Sequence, residues 1–455
     1  MIKRYYATKD NTITNAYGEN LTVRGSDANM GASDILEVFS IYGQTQDENQ
    51  VYSREEARII IEFDEYEISA DTLPDNTKYY LRLFNAVHGK TLPSNFYLEV
   101  SPLEQSWEEG TGLDMEDYSD LTYGKGSSWN EAGAGSNWNT SGGHFPTATP
   151  VQIYFDEGYE NLEIDITTIV EGWIATSNPS PNYGLIIKLP DASTQEQRSY
   201  YTKMFYARGT SNFFKQPLIE ARWDSQITDQ RHHFYSDKPN TIYLYNTFRG
   251  ELVSLGTTVT VSIYEDLLGS PLATETAEEV STGIYKADIN VTTTSGELYD
   301  VWTADLQTVH TGSISVLEQA PFETPEMVNL VTTVSNKQNT HYIGQTSRFY
   351  FYIREKNWSP NIHTVASTLP KTKVYDKLVY KICKVITDEI IFDYNTSDSA
   401  TTLSYDSNGN FFDLDINMLE PNYVYEIKLA LFNVMTKSYQ ELPFKHRFRV
   451  VNNEY

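Results

Sequence analysis

The sequence predicts an all-β chain built as several antiparallel β-sandwiches, and three observations lead there. Apolar and polar residues alternate with a period of two along most of the chain. Turn clusters such as LPDNT at 73–77 and DSNGN at 406–410 separate the alternating runs. No heptad of apolar residues draws any segment into a coiled-coil shaft.

The alternation is legible in four runs. It places Phe96, Leu98 and Val100 on one face of a strand, Val259, Val261 and Ile263 on another, Phe349, Phe351 and Ile353 on a third, and Tyr425, Ile427, Leu429 and Leu431 on a fourth. Only one segment follows helical spacing, DITTIVEGWIATS at 165–177, where Ile166, Ile169, Val170, Trp173 and Ile174 share a face behind Asp165 as the expected cap. It is expected to plug one end of the first sandwich.

At 455 residues the chain exceeds one ordinary core. One boundary is placed near residue 225, where a terminal strand gives way to polar residues. A second falls at LEQAPFETPE, 317–326, whose prolines and charges suit a linker. The expected domains are 1–225, 226–318 and 319–455. In the last, LEPNYVY at 419–425 has the spacing of a tyrosine corner, in which the Tyr425 ring packs and its hydroxyl bonds back to the chain; this points to an immunoglobulin-like or fibronectin-like sandwich. Just upstream, a tight turn at Asn408 and Gly409 is expected to close a hairpin. The middle domain also reads as a small immunoglobulin-like sandwich.

Charge narrows the function classes. With 34 basic and 62 acidic residues the chain carries a net −28, which repels phosphate backbones and anionic membranes, so neither nucleic acid nor membrane insertion is expected. Tyrosine is abundant at 34 residues and suits half-buried sheet surfaces and wet interfaces. The lone cysteine, Cys383, sits in a strand-like run, where a buried inert thiol is expected; no internal disulfide can form. The N-terminal MIKRYYATKD lacks a signal-peptide core and no segment reaches a membrane span, so folding in the cytoplasm is expected.

The conspicuous candidate site is WNEAGAGSNWNTSGGHF at 129–145. Trp129, Trp138, His144 and Phe145, with Trp107 upstream, form a set of ligand or interface aromatics, and Glu108, Glu109, Asn137 and Asn139 supply polar groups for sugar hydroxyls. The opposing reading folds the tryptophans inward as anchors, with the glycines allowing tight turns between them. No catalytic residue is assigned. Carboxylate pairs for glycoside hydrolysis can be drawn from Glu108, Glu109, Asp114 or Asp117, yet nothing sets one acid apart from its partner. The histidines lack zinc-type spacing, and neither a phosphate-binding glycine loop nor a nucleophile elbow occurs. No cofactor is expected. Calcium is the one ion the acidic runs offer to hold, at Asp114, Glu116, Asp117 and Asp120, or at Asp406, Asn408 and Asp413, against a reading of both as solvated turns.

The segments NLTVRGSDANMGASDILEV, EARIIIEFD, SWEEGTGLD, GSSWNEAGAGSNWNTSGGHF, LEIDITTIVEGWIATSNPSPNYGLIIKL and QPLIEARW occur in the order seen in DNRLRE-type β-sandwich domains, which are related to certain carbohydrate-binding modules. The first domain resembles these over nearly all of residues 10–225. It departs from them in its acidic 104–120 stretch and its lack of an export signal. Such a sandwich followed by two immunoglobulin-like domains resembles the neck, collar and tail proteins of tailed-bacteriophage virions. That resemblance implies a non-enzymatic virion structural or fibre-attachment protein, located in the virion and docked to other virion proteins as a homo-oligomer or as ring-bound copies. The alternative it leaves open is a carbohydrate-binding adhesin for host-surface glycans.

Overall fold

A computed structural model describes residues 1–18, 21–46, 49–113, 126–146, 150–317, 329–356, 372–396, 398–434 and 436–452. The chain is all-β and divides into two compact units, Ile2–Asp224 and Ser225–Tyr455. Among the described residues no helix is long and apolar enough to cross a membrane.

In the first unit two antiparallel sheets face each other. The smaller runs in the order Ile2–Tyr6, Leu218–Arg222, Lys78–Leu83, Leu162–Asp165. The larger runs Tyr200–Tyr206, Ile35–Gln46, Tyr52–Glu62, Leu185–Lys188, Phe96–Pro102, Val151–Phe155, with Lys9–Thr14 also pairing with Tyr52–Glu62. Leu81, Leu83, Ile59, Ile61, Leu98 and Leu185 are wholly buried, as alternation requires of core-facing positions. The helix Thr167–Ile174 packs its buried Val170 and Trp173 inward. Its N-cap position is Ile166 and not Asp165; the Asp165 carboxylate still closes the first turn by accepting from the Thr167 amide at 2.9 Å.

One position of the smaller sheet is unusual for its charge. Glu220 is buried and ringed by Arg4 at 2.8 Å, Arg82 at 3.0 Å and Arg222 at 2.7 Å. Burial opposes its ionisation, but the three guanidiniums outweigh that and hold its carboxyl down at about 2.

The second unit holds two sandwiches. In the first of them the strands run Phe234–Tyr235, Gln307–Leu317, Glu297–Ala304, Val259–Tyr264, Ala273–Ser281, Ile284–Ile289, Asn240–Tyr245. Ala273–Ser281 serves both of its sheets: residues 273–277 pair with Val259–Ile263, and 278–281 with Ile284–Lys286. Val259, Val261, Ile263 and Trp302 form its core. The other sandwich pairs Leu330–Val334, Thr346–Glu355, Gly409–Asp415 and Ser404–Asp406 in one sheet. Its second sheet runs Thr340–Tyr342, His446–Val451, Val424–Asn433, Leu378–Lys384, Glu389–Phe392. Between them Tyr380 stacks on Phe412 at 3.9 Å and Phe349 meets Phe448 at 5.3 Å.

The tyrosine corner is present: Tyr425 is wholly buried and its hydroxyl donates to the Glu420 carbonyl at 2.7 Å. The upstream hairpin differs from expectation by one residue. Asp406 pairs with Gly409, so Ser407 and Asn408 make the turn and Gly409, at φ +125°, opens the next strand. The Asp406 side chain drives this choice by accepting from the Asn408 amide at 2.7 Å.

A short segment ties the two sandwiches of this unit together. Tyr405 donates its amide to the Ile227 carbonyl at 2.8 Å, and Asp229 donates its own to the Tyr405 carbonyl at 3.1 Å, so 227–229 extends the edge of the last sandwich. Two residues on, Arg231 enters the preceding sandwich and pairs with Asp300 at 2.5 Å, a carboxylate that also accepts from the Trp302 indole at 2.6 Å.

Candidate functional site

The loop at 126–146 lies on the outer face of the larger sheet in the first unit. That face is apolar, because Ile13, Ile60 and Ile186 point outward from three adjacent strands, and the loop covers them. Trp107, 4% exposed, and Trp138, 5% exposed, pack into this layer with Leu103 and Ala132. Each indole N–H is satisfied by the chain itself, Trp107 donating to the Tyr183 carbonyl at 3.0 Å and Trp138 to the Ser128 carbonyl at 2.9 Å. An indole so placed offers no open ring face for a sugar to stack on.

Trp129 and Phe145 are half-buried at the margin of the same layer. The Arg58 guanidinium lies 4.7 Å from the Trp129 ring and 5.8 Å from that of Phe145, and Lys188 lies 5.3 Å from Phe145. Arg58 also donates to the Gly142 carbonyl at 2.9 Å and pairs with Glu56 at 2.8 Å. The cation therefore clamps the loop from below. Gly142, at φ +84°, makes the clamp possible: a Cβ there would stand 2.8 Å from the Trp129 ring and 2.9 Å from Arg58.

Polar side chains just upstream tie the loop down through its backbone, while the Asn137 and Asn139 side chains are exposed. Gln105 accepts from the Asn139 amide at 2.9 Å and donates to the Asn137 carbonyl at 3.0 Å. Glu108 accepts from the Ala134 amide at 3.2 Å. Glu109 receives Arg208 at 2.8 Å and the Asp10 amide at 3.0 Å. Next to that pair, Asp10 is buried, and burial is the chief reason its carboxyl is pushed up to about 7, with Glu109 adding to the rise and Arg208 opposing it.

Sequence reasoning missed Asn29, which is buried and organises the base of the loop. Its amide donates to the Glu109 and Ser127 carbonyls at 2.8 Å, and its oxygen accepts from the Gly112 amide at 2.8 Å. The signal for the covered face was present, however. Ile59-Ile60-Ile61 and Leu185-Ile186-Ile187 are unbroken apolar runs, which mark strands buried on both faces.

His144 behaves unlike its neighbours. Its imidazole turns to the Glu104 carboxylate, with Nε2 3.5 Å from the nearer oxygen, while the Glu104 amide donates to the His144 carbonyl at 2.9 Å. The two border a cleft of about 670 Å³ between the chain at 102–104 and the helix Thr167–Ile174, walled by Leu103, Ile169, Trp173, Pro181 and Tyr183. This is the concave feature that the aromatic loop helps to build.

Of the expected calcium ligands, Asp114, Glu116, Asp117 and Asp120 lie outside the described residues. In the second run, Asp413 is engaged by Arg348 at 2.7 and 2.8 Å and Asp406 by the Tyr350 hydroxyl at 2.8 Å. Cys383 is buried, and burial raises its thiol pKa.

No protein-family profile matches the sequence, and no curated protein matches it. Solved structures similar to parts of the chain include an adhesin of Yersinia pseudotuberculosis, InvE, at 15% identity over 47% of this chain and 56% of that one, with a TM-score of 0.16. The Escherichia coli adhesin FdeC is similar at 13% identity over 59% of this chain and 77% of that one, with a TM-score of 0.17. A chimeric titin Z1Z2 tandem is similar at 12% identity over 49% and 94%, with a TM-score of 0.15.

Proposed function

We propose that the chain is a non-enzymatic structural protein of a tailed-bacteriophage particle, a neck, collar, tail or fibre-attachment component that works by docking other proteins. The observation that carries the docking part is where its aromatic and apolar side chains go. The tryptophans best suited to gripping a glycan, Trp107 and Trp138, are consumed in covering a sheet. Among the exposed apolar residues, one group lies on the hairpin joining Thr247–Phe248 to Glu251–Leu252 and beside it: Phe248 is 63% exposed, and Leu252, Val253 and Val280 are each above 40%. The hairpin is fixed to the neighbouring turn by the Asn246 amide donating to the Gly283 carbonyl at 2.8 Å. Held apolar tips of this kind suit protein interfaces, where a few buried anchors supply most of the energy. The virion assignment is supported by the order of domain types, a DNRLRE-like sandwich followed by immunoglobulin-like ones, together with the acidic charge.

Proteomics of purified phage particles, combined with electron microscopy to locate the chain, tests the proposal. Presence at a fixed copy number is expected; a protein absent from particles and free in the medium refutes it. The glycan-adhesin alternative predicts retention on a glycan array that is lost in Trp129→Ala, and a silent array removes it.

A further inference from the structure

The cleft beside His144 joins an apolar wall to one carboxylate among the described residues, that of Glu104, which His144 approaches at 3.5 Å. Leu103, Ile169 and Pro181 supply the wall and Glu104 stands at its rim, its side chain half exposed. Among the described residues no lysine or arginine lines the cleft, and His144 is the one basic group there. We infer that the cleft seats a lysine or arginine side chain carried on an apolar segment of a partner protein, an inference that rests on the docking role proposed above.

Three features favour this occupant. A volume of about 670 Å³ holds a short peptide segment and exceeds the needs of a single small ion. Lysine and arginine are the side chains that lay a methylene stem along apolar surface while holding a charged head to a carboxylate, and arginine does so with two parallel hydrogen bonds. Charge excludes the opposite class, because an anionic ligand would approach Glu104 on a chain of net charge −28. A saccharide is disfavoured by Trp173, which is only 4% exposed and so leaves little ring surface for a sugar to stack on.

The test uses the full chain labelled with 5-fluorotryptophan and followed by fluorine NMR, with the Trp173 signal assigned from Trp173→Phe. The probes are the capped tripeptides Leu-Arg-Leu and Leu-Glu-Leu, and maltotriose. Leu-Arg-Leu is expected to shift the Trp173 signal saturably. Its affinity should fall about tenfold in Glu104→Gln, the loss of one charge-assisted contact, and binding should vanish in Ile169→Lys, whose ammonium reaches Glu104 from inside the cleft. Leu-Glu-Leu should leave the signal in place. Unchanged signals from the other tryptophans show that each variant is folded, and either variant suffices if the other is not. Equal response to both peptides, indifference to Glu104→Gln, silence with both peptides, or saturation by maltotriose alone overturns the inference. A chain present in particles whose cleft ignores Leu-Arg-Leu keeps its docking role and loses this site. A chain that binds the peptide but is absent from particles keeps the site and loses the virion role.

Discussion

The loop at 126–146 and the turn at 419–425 are both aromatic-rich connections, yet they are held by different forces. Around the loop, Trp138 within it and Trp107 upstream stay in place because they cover Ile13, Ile60 and Ile186, and their hydrogen bonds follow from that packing. In the turn, Tyr425 is placed by a local bond from its hydroxyl to the Glu420 carbonyl, five residues back. A local bond has a fixed spacing and so leaves a motif. Packing over a sheet face depends on strands far apart in sequence and leaves only a composition.

The sharpest way to break the comparison is Trp138→Ala. It opens a cavity over the sheet and orphans the Ser128 carbonyl, and it should lower the stability of the unit Ile2–Asp224 by about 3 to 5 kcal/mol. Urea unfolding followed by near-ultraviolet circular dichroism measures it. A loss below about 1 kcal/mol would mean that the ring is surface decoration, and the anchoring account would fall.

Next in size is the response to acid, where Asp10 in the first unit and the buried histidines of the last sandwich act in opposite directions. Asp10, beside the loop, has its folded pKa raised to about 7 by burial, above the unfolded value of about 3.9. Its protonated form is favoured by folding, so the first unit gains stability as pH falls from 7, by about 2 kcal/mol at pH 5.5. In the last sandwich, burial lowers the pKa of His341 and His446, which pack against Phe349 and Phe448. His341 faces Ser347 at 2.8 Å, and Lys337 and His341 add repulsion at His446. The unfolded chain then takes up protons that the folded histidines refuse, so their contribution is full above about pH 6.5 and declines below it, while Asp229 on the same sandwich's edge, its carboxyl pushed up to about 6 chiefly by burial, offsets part of that loss. Keeping the range above pH 5 leaves out Glu220, whose depressed carboxyl costs stability only under stronger acid. Scanning calorimetry at pH 7.5 and 5.5 should show the first unit's transition rising relative to that of the last sandwich, with Asp10→Asn flattening the first. Parallel shifts would refute the assignment.

These residues also mark how much was legible. Alternation located the core faces at Leu98, Val261, Phe351 and Ile427 because one period maps onto one sheet face. The unbroken runs at 59–61 and 185–187 did signal that the opposite face of the first unit's larger sheet is covered, but nothing in them says by which residues, since the roof comes from segments far from those strands in sequence. The aromatic loop was therefore legible as a feature while its partners were not. Asn29 was unreadable for the same reason: its hydrogen bonds reach residues 80 and 98 positions away. The cleft was half visible. His144 stood out in sequence, but Glu104 becomes its neighbour only through a backbone bond between distant segments, and Ile169 only through the helix that lines the cleft.

The finest test is Tyr425→Phe, which keeps the buried ring and removes only the bond to Glu420. The Glu420 carbonyl then lacks its hydroxyl partner, so the expected loss is about 1 kcal/mol, confined to the unfolding of the last sandwich. The small size is the point of the experiment. If the motif acts through its bond, Tyr425→Phe should cost less than Trp138→Ala and leave circular dichroism unchanged. Should Tyr425→Phe cost as much as deleting a whole buried ring, the hydroxyl would be fixing the path of the chain into Val424–Asn433, and the local bond would outweigh the packing it introduces.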